Sequence, residues 1–501
     1  MRQNPKTDAA SEALAIAFNY GQSFRKTQRP LDATATASEL RASFGGLLPT
    51  KGLEGGEVIR QLIQAAEPGL LGNTQPGFFG WVMGASHPTG VAADWLTSIW
   101  GQNAGIYQTS PAAAVAEEVA ADWIVDLLDL PRESSVGFTT GATMAGFIAL
   151  AAARGEVLRR VGHDIDEHGF QDAPRVTVFV ADDTHVSNLA ALRYLGFGSR
   201  NLVMLPSDDQ GRIEKASFVR QIRQVEGPKI VVATAGQINS GAFDDFNLLA
   251  DVANENNAWL HVDAAFGLWA RTNPATFALT AGIERADSWS TDGHKWLQIP
   301  YDAGFAIVKN KEAHRRAMDI SASYLTETSR DGRNATHYNP ELSRRARGFA
   351  VWATLKALGQ DGVAELVERH CTCASQLAAQ LKSVSGVEIC NEVRLNQIVL
   401  SFSRFTDDPR AGELTLAMER ALNADGRQFF RTAVWKGKRV LRISVISHES
   451  GPADMKSLAK KIRRAWAAIR DEHDSALSCR NTVTDASGIS WAGDFLAKAD
   501  P

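Results

Sequence analysis

KIVVATAGQINSGAFDDFNLLADVANENNAWLHVD, residues 229–263, reads as a strand, a helix and a second strand in succession. The run 229–234 carries Ile, Val, Val and Ala without polar alternation, and AWLHVD at 258–263 repeats that character. Between them, 244–254 spaces its apolar residues as a helix does. Buried strands separated by helices imply a mainly parallel sheet covered on both faces.

The same alternation extends outward on both sides. Further β-rich runs stand at 136–140, 176–181, 201–205, 287–290 and 304–308, and helical stretches at 143–160, 185–195 and 214–225. Ser110-Pro111 opens an earlier helix that runs to about Leu130, where Pro131 ends it. Residues 77–103 are too irregular for one element, and 312–345 read as a mobile loop. Beyond them come helices at 345–358 and 362–384, strand-like 396–402, a helix at 412–423, strand-like 439–446 and a helix at 453–472. The expected division is 1–85, an N-terminal helical segment; 86–345, a large α/β domain; 346–475, a small C-terminal α+β domain; and 476–501, a polar tail.

Composition narrows the function classes. The 501 residues carry 53 basic and 57 acidic side chains, a formal net charge of −4, with no block of one sign. Neither nucleic acid nor an anionic membrane surface is an expected partner. The start, MRQNPKTDAASEAL, lacks the apolar core of a secretory signal, and no run approaches the ~20 apolar residues of a membrane span. The four cysteines, Cys371, Cys373, Cys390 and Cys479, make no disulfide framework in a chain this long, and C-x-C without a second pair is no zinc pattern. A cytoplasmic protein with no bound metal is the expectation.

In an open, mostly parallel sheet the functional groups gather beyond the carboxyl ends of the strands, and four segments fall there. ADSWSTDGHKWLQIPYDAG, 286–304, sets Lys295 in a polar turn before an apolar run, surroundings that disfavour the ammonium form and suit a neutral amine for Schiff-base chemistry. HVDAA, 261–265, ends a buried strand on Asp263, about thirty residues earlier, with small Ala264 and Ala265 beside it. A pyridine ring used as an electron sink needs such a carboxylate at its nitrogen and a small residue on one face. His185 opens a helix after the 176–181 strand, placed to lie on the other face. Thr139-Thr140-Gly141-Ala142-Thr143 opens the helix 143–160, and backbone N–H groups there suit a phosphate dianion. Each feature alone also reads as capping or an exposed loop residue. Together, in this order, they are specific for pyridoxal 5′-phosphate (PLP).

On these residues the chain resembles the group II PLP-dependent amino-acid decarboxylases of the fold-type-I aminotransferase superfamily, which include aromatic-L-amino-acid and glutamate decarboxylases. FFGW (78–81), SPA (110–112), TTGAT (139–143), HVS (185–187), ATAG (233–236), HVDAA (261–265), DGHKWL (292–297), SRR (343–345) and LRIS (441–444) carry the resemblance over roughly residues 70–450. It implies a mostly parallel seven-stranded sheet in the PLP-binding domain. It implies Lys295 as the Schiff-base lysine, His185 stacked on the ring, Asp263 at the ring nitrogen and Ala265 beneath the ring. It places Ala142, Thr143, Asp292 and His294 at the phosphate end.

The same resemblance implies release of CO2 and an amine from an L-amino acid, while the side chains expected to line the pocket give only a mild preference for an aromatic or medium apolar substrate. Trp81 and Val82 would line the pocket, with Tyr107 reaching it from a partner subunit. An obligate homodimer follows, its lead-in helices wrapping the other subunit. In such enzymes a loop tyrosine returns a proton to Cα. Of six tyrosines, Tyr324 and Tyr338 lie in the loop, Tyr338 being the first choice. The chain departs from the family pattern at Gly84, at Gly141-Ala142-Thr143-Met144 and at Gln237-Ile238. An oxidative, aldehyde-forming decarboxylase, another PLP lyase or an aminotransferase would use the same scaffold. A nicotinamide enzyme is disfavoured because no strand leads into G-x-G-x-x-G, and a scaffold protein would not need Lys295, His185 and Asp263 together.

Overall fold

The computed structural model describes residues 5–320 and 332–484, with side chains described for 11–320 and 332–471. Seven strands form the larger sheet: β1 Ser135–Thr139, β2 Thr177–Ala181, β3 Leu202–Leu205, β4 Lys229–Thr234, β5 Trp259–Asp263, β6 Ser288–Asp292 and β7 Gly304–Val308. Their spatial order is β1-β7-β6-β5-β4-β2-β3. Only β7 runs against its neighbours β1 and β6; the pairs β6/β5, β5/β4, β4/β2 and β2/β3 are parallel. The fold is therefore the mixed α/β architecture with a mostly parallel sheet that the alternation predicts.

The strands read as unbroken apolar runs because they feed two cores at once. Along β4, Val231 and Ala233 point into one apolar cluster while Ile230 and Val232 point into the other. Phe179 and Val178 on β2, and Ile307 and Val308 on β7, divide the same way. Each such Val, Ile or Phe taken fully from water contributes about 1.5–3 kcal/mol. The edge strand β3 is the exception, leaving Met204 largely exposed. Helices Ala142–Arg159 and Val186–Tyr194 supply Ile148, Ala149, Ala191 and Leu192 to the second cluster, so they cover one face.

Register decides what shares an edge. Thr139 and Asp292 both pair with Gly304, Asp263 pairs with Ser290, and Thr234 pairs with Asp263. The ends of β1, β4, β5 and β6 and the start of β7 thus stand in one row.

A second, antiparallel sheet has the order β10-β11-β9-β8, with β8 Val387–Ile389, β9 Gln397–Phe402, β10 Arg431–Trp435 and β11 Lys438–Ser444. It packs on Gly348–Leu381, Ala411–Asn423 and Pro452–Thr484.

Several local expectations are corrected. The 77–103 stretch contains a full helix, Pro88–Trp100, started by Pro88 behind the His87 cap and stopped by Gly101 at φ 60°. The segment read as a loop from 312 begins with the helix Lys311–Met318, whose Ala313 N–H is capped by Asn310 Oδ1 at 3.0 Å. The two helices expected at 345–358 and 362–384 form one run broken only at Gly359, φ 65°. Strands β8 and β10 are too short or too polar to have stood out.

Candidate active site

A cavity of about 300 Å³ opens at the shared strand edge. Its wall contains Ala142, Thr143, His185, Asp263, Ala265, Asp292, His294 and Lys295, together with Val82. The sequence places these on five separate segments; the register of the sheet brings them together.

Asp292, the last residue of β6, organises one end. Its Oδ2 lies 3.0 Å from Lys295 Nζ, and its Oδ1 accepts the Ala142 N–H at 2.6 Å, with His294 Nε2 at 3.4 Å. The sequence predicts mainly apolar surroundings for Lys295, and Trp296, Leu297 and Ile299 are indeed buried. The amine itself, however, is matched to a carboxylate. Ala142 is the first residue of the 18-residue helix Ala142–Arg159, so beyond its own N–H, already taken by Asp292, the helix presents its positive end beside Thr140 and Thr143. Burial holds the His294 imidazole below its usual pKa, with Lys295 adding to the effect against Asp292.

Asp263 organises the other end. Oδ1 accepts the Ala265 N–H at 3.1 Å and Oδ2 accepts Asn188 Nδ2–H at 2.6 Å. Across the cavity His185 precedes the helix Val186–Tyr194. Its Nδ1 is 2.7 Å from Ser187 Oγ and accepts the Ser187 N–H at 3.3 Å, which leaves the ring proton on Nε2. Water can reach the ring through the cavity mouth, yet the surrounding protein desolvates it and lowers its pKa. The charges of Lys295 and Arg442 act the same way, against Asp263.

Gly84, one of the departures from the family pattern, has a steric cause. A Cβ there would stand 2.1 Å from the carbonyl oxygens of both His294 and Lys295. The segment 82–85 therefore lies directly on the lysine turn.

Three sequence-predicted site residues are not brought to this cavity. Trp81 is 41% exposed and leans on Phe429 with ring centroids 5.3 Å apart. Tyr107 takes its place near Gly332 and donates its N–H to Asn334 Oδ1 at 2.9 Å. Tyr338 is buried at a different cavity, its ring under the Arg333 guanidinium at 4.4 Å and edge-on to His314 at 5.2 Å. Tyr324 lies outside the described residues.

The wall also holds residues to which the sequence assigns no role. Asp183, two before His185, accepts Trp435 Nε1–H at 2.9 Å and Gln237 Nε2–H at 3.2 Å. Its place just past the end of β2 was the available signal. Thr234 ends β4, where the Asp244 carboxylate accepts its N–H at 2.7 Å; Ile238 and Phe266 complete the wall. Asn188, one helical turn after His185, is invisible as a site residue until the fold sets it behind Asp263. Arg442 on β11 donates to the Ile238 carbonyl at 2.9 Å, while its enclosed Nε has no hydrogen-bond partner among the described residues; burial brings its pKa down to about 10.

One cavity thus holds an amine, Lys295, a carboxylate, Asp263, an imidazole, His185, and the start of a helix, a set of groups whose chemistry suits pyridoxal 5′-phosphate. The fold and this pocket define a PLP-dependent enzyme. Residues 43–403 match the family model of the pyridoxal-dependent decarboxylase conserved domain. The chain belongs to that family, and PLP is its cofactor. It is 27% identical over 460 residues to an aromatic-L-amino-acid decarboxylase of Bacillus atrophaeus, covering 90% of this chain and 93% of the relative. Tryptophan decarboxylase 1 of Oryza sativa subsp. japonica is 28% identical over 464 residues, 86% of each chain. The crystal structure of Oryza sativa TDC with PLP and tryptamine superposes with a TM-score of 0.86 at 23% identity, covering 94% of this chain and 99% of the other.

Proposed function

We propose that this enzyme decarboxylates an aromatic L-amino acid, releasing CO2 and the corresponding amine. The observation that carries the reading is the single cavity in which Asp263 and the start of the helix Ala142–Arg159 bracket Lys295. The aromatic substrate class is taken from the two decarboxylases named above and suits a wall that includes Val82, Ile238 and Phe266.

Bound PLP supplies an electron sink for the bond broken at the substrate's α-carbon. In this reading Lys295 holds the cofactor, and Asp292 orients the amine before it does so. Ala142, Thr143 and His294 receive the phosphate, Ala265 leaves room beneath the ring, and His185 covers it. Asp263 fixes a proton on the ring nitrogen, a form of preorganised charge stabilisation worth roughly 3–4 kcal/mol per group. Arg442 brings an uncompensated buried charge near His185, which suits the carboxylate of an incoming amino acid. Tyr338 is not assigned the proton-donor role, because Arg333 and His314 occupy its ring.

The proposed molecule is a cytoplasmic homodimer. Leu47 and Leu48 stand 97% and 94% exposed, and Ile99 and Trp100 are exposed as well, large apolar side chains that a second copy of the chain would cover. Trp81 and Tyr107 would then serve the partner's pocket or its rim. No helix among the described residues is long and apolar enough to cross a membrane, and Cys371, Cys373 and Cys390 are free thiols, as a reducing compartment favours.

The test is CO2 and amine release across a panel of L-amino acids, with Lys295→Ala as the blank. Amine from tryptophan, tyrosine or phenylalanine is expected. Aldehyde with peroxide, or amine only from acidic substrates, would overturn the reading.

A further inference from the structure

The carboxylate of Asp263 is held from behind in a way that the proposed chemistry does not require of any decarboxylase. Both of its hydrogen-bond donors, Ala265 N–H and Asn188 Nδ2–H, are neutral amides. His261 lies two residues back on the same face of β5, fully buried, and burial brings its pKa down to about 4, so it too is uncharged near neutrality. Its nitrogens meet Ser288 Oγ at 3.0 Å and Ser290 Oγ at 3.4 Å. Both oxygens of Asp263 are therefore fixed without positive charge being supplied.

Asn188 is an expensive choice at its position. It is 3% exposed on a helix whose neighbouring Ala191 and Leu192 are wholly buried against the sheet. An apolar residue would pack there without a polar group to satisfy. A second residue makes room for the amide. Gly146 stands inside the helix Ala142–Arg159, where glycine is a poor helix former. A Cβ at 146 would lie 3.3 Å from Asn188 Oδ1 and 3.9 Å from Ser290 Oγ. Two helices have thus each accepted an unfavourable residue at one point, and that point faces Asp263.

We infer that Asn188 is a positioning residue for PLP: it fixes the Asp263 carboxylate toward the ring nitrogen while leaving its whole negative charge to that nitrogen. The inference rests on the proposed function, in which the ring nitrogen meets Asp263. Replacing the amide with a group of similar size that cannot donate frees Oδ2 to turn away.

The experiment titrates apoprotein with PLP, following the visible absorbance, for wild type, Asn188→Leu and Gly146→Ala, and measures the thermal midpoint of each apoprotein. Asn188→Leu is expected to weaken PLP binding about 10- to 100-fold, the range for a hydrogen bond to a charged group, together with a lowered apoprotein midpoint, because the buried Asp263 carboxylate loses a donor. With PLP saturating, kcat falls and the KM for the amino acid holds. Gly146→Ala keeps Asn188 but crowds it, so about a threefold weaker affinity is expected; it carries the test if Asn188→Leu does not fold. Unchanged affinity in the folded variants, or a lowered apoprotein midpoint with unchanged affinity, would overturn the inference and make the amide a packing residue. Failure of wild type to take up PLP would instead overturn the proposed function, and this inference with it.

Discussion

Asp292 holds Lys295 Nζ at 3.0 Å with one oxygen while its other oxygen accepts the Ala142 N–H at 2.6 Å. One carboxylate at the end of β6 thus ties the lysine to the helix start that faces the phosphate. Replacing it with Ala removes a charge-assisted contact worth about 1.5–3 kcal/mol. Asp292→Ala should therefore take up PLP about 10- to 100-fold more slowly as apoprotein, as followed by the absorbance of the bound cofactor.

Arg442 offers a contrasting case. Its enclosed Nε has no hydrogen-bond partner among the described residues, and burial lowers its pKa. A buried charge without a counter-ion destabilises the free protein. Arg442→Met should therefore leave the thermal midpoint unchanged or raise it, while the KM for the amino acid rises about 10- to 100-fold. Equal KM values with unchanged PLP affinity would remove Arg442 from substrate binding.

Gly84 bears on the lysine turn through its missing side chain. Since a Cβ would meet two carbonyl oxygens at 2.1 Å, the turn must shift in Gly84→Ser. Overpacking of this kind costs about 1–3 kcal/mol. A lower urea midpoint and weaker PLP retention are expected together, because the atoms displaced belong to His294 and Lys295.

Three fully buried histidines set the acid limit of the fold. Burial lowers His261 to about 4 and His314 and His370 to about 3. At His370, Nδ1 accepts Trp296 Nε1–H at 3.0 Å and Nε2–H donates to the Ser447 carbonyl at 2.8 Å, so a proton on Nδ1 would face a donor. The unfolded chain binds these protons near pH 6.5 and the folded chain does not. Stability from this source is complete above about pH 7.5 and declines as pH falls toward the folded values. The slope approaches about 1.4 kcal/mol per pH unit for each histidine, roughly 4 for the three. Urea midpoints measured from pH 7.5 to 5 should show this decline, and His370→Gln should make it shallower.

The strands of the large sheet were legible because nearly every residue of β2, β4, β5 and β7 is buried, which writes apolar runs into the sequence. Lys295, His185 and Asp263 were legible for a different reason: each sits where a strand or its following turn ends. Asn188, Asp183 and Arg442 were not, because their importance comes from which distant residue they face. Asn188 looks like any helical Asn until β5 is laid beside its helix, and Arg442 like any strand Arg until its Nε proves to be enclosed. The short strands β8 and β10 belong to pairings made only after the chain returns, and Arg431–Trp435 carries its polar residues on a half-exposed edge. A place in the 312–345 segment likewise says nothing of the Arg333 cation above the Tyr338 ring.

The most direct measurement loads the protein with PLP, reduces it with borohydride and maps the modified peptide by mass spectrometry. A single pyridoxyl group on Lys295 is the predicted result. Modification of a different lysine, or none at all in protein that has taken up the cofactor, would contradict the site.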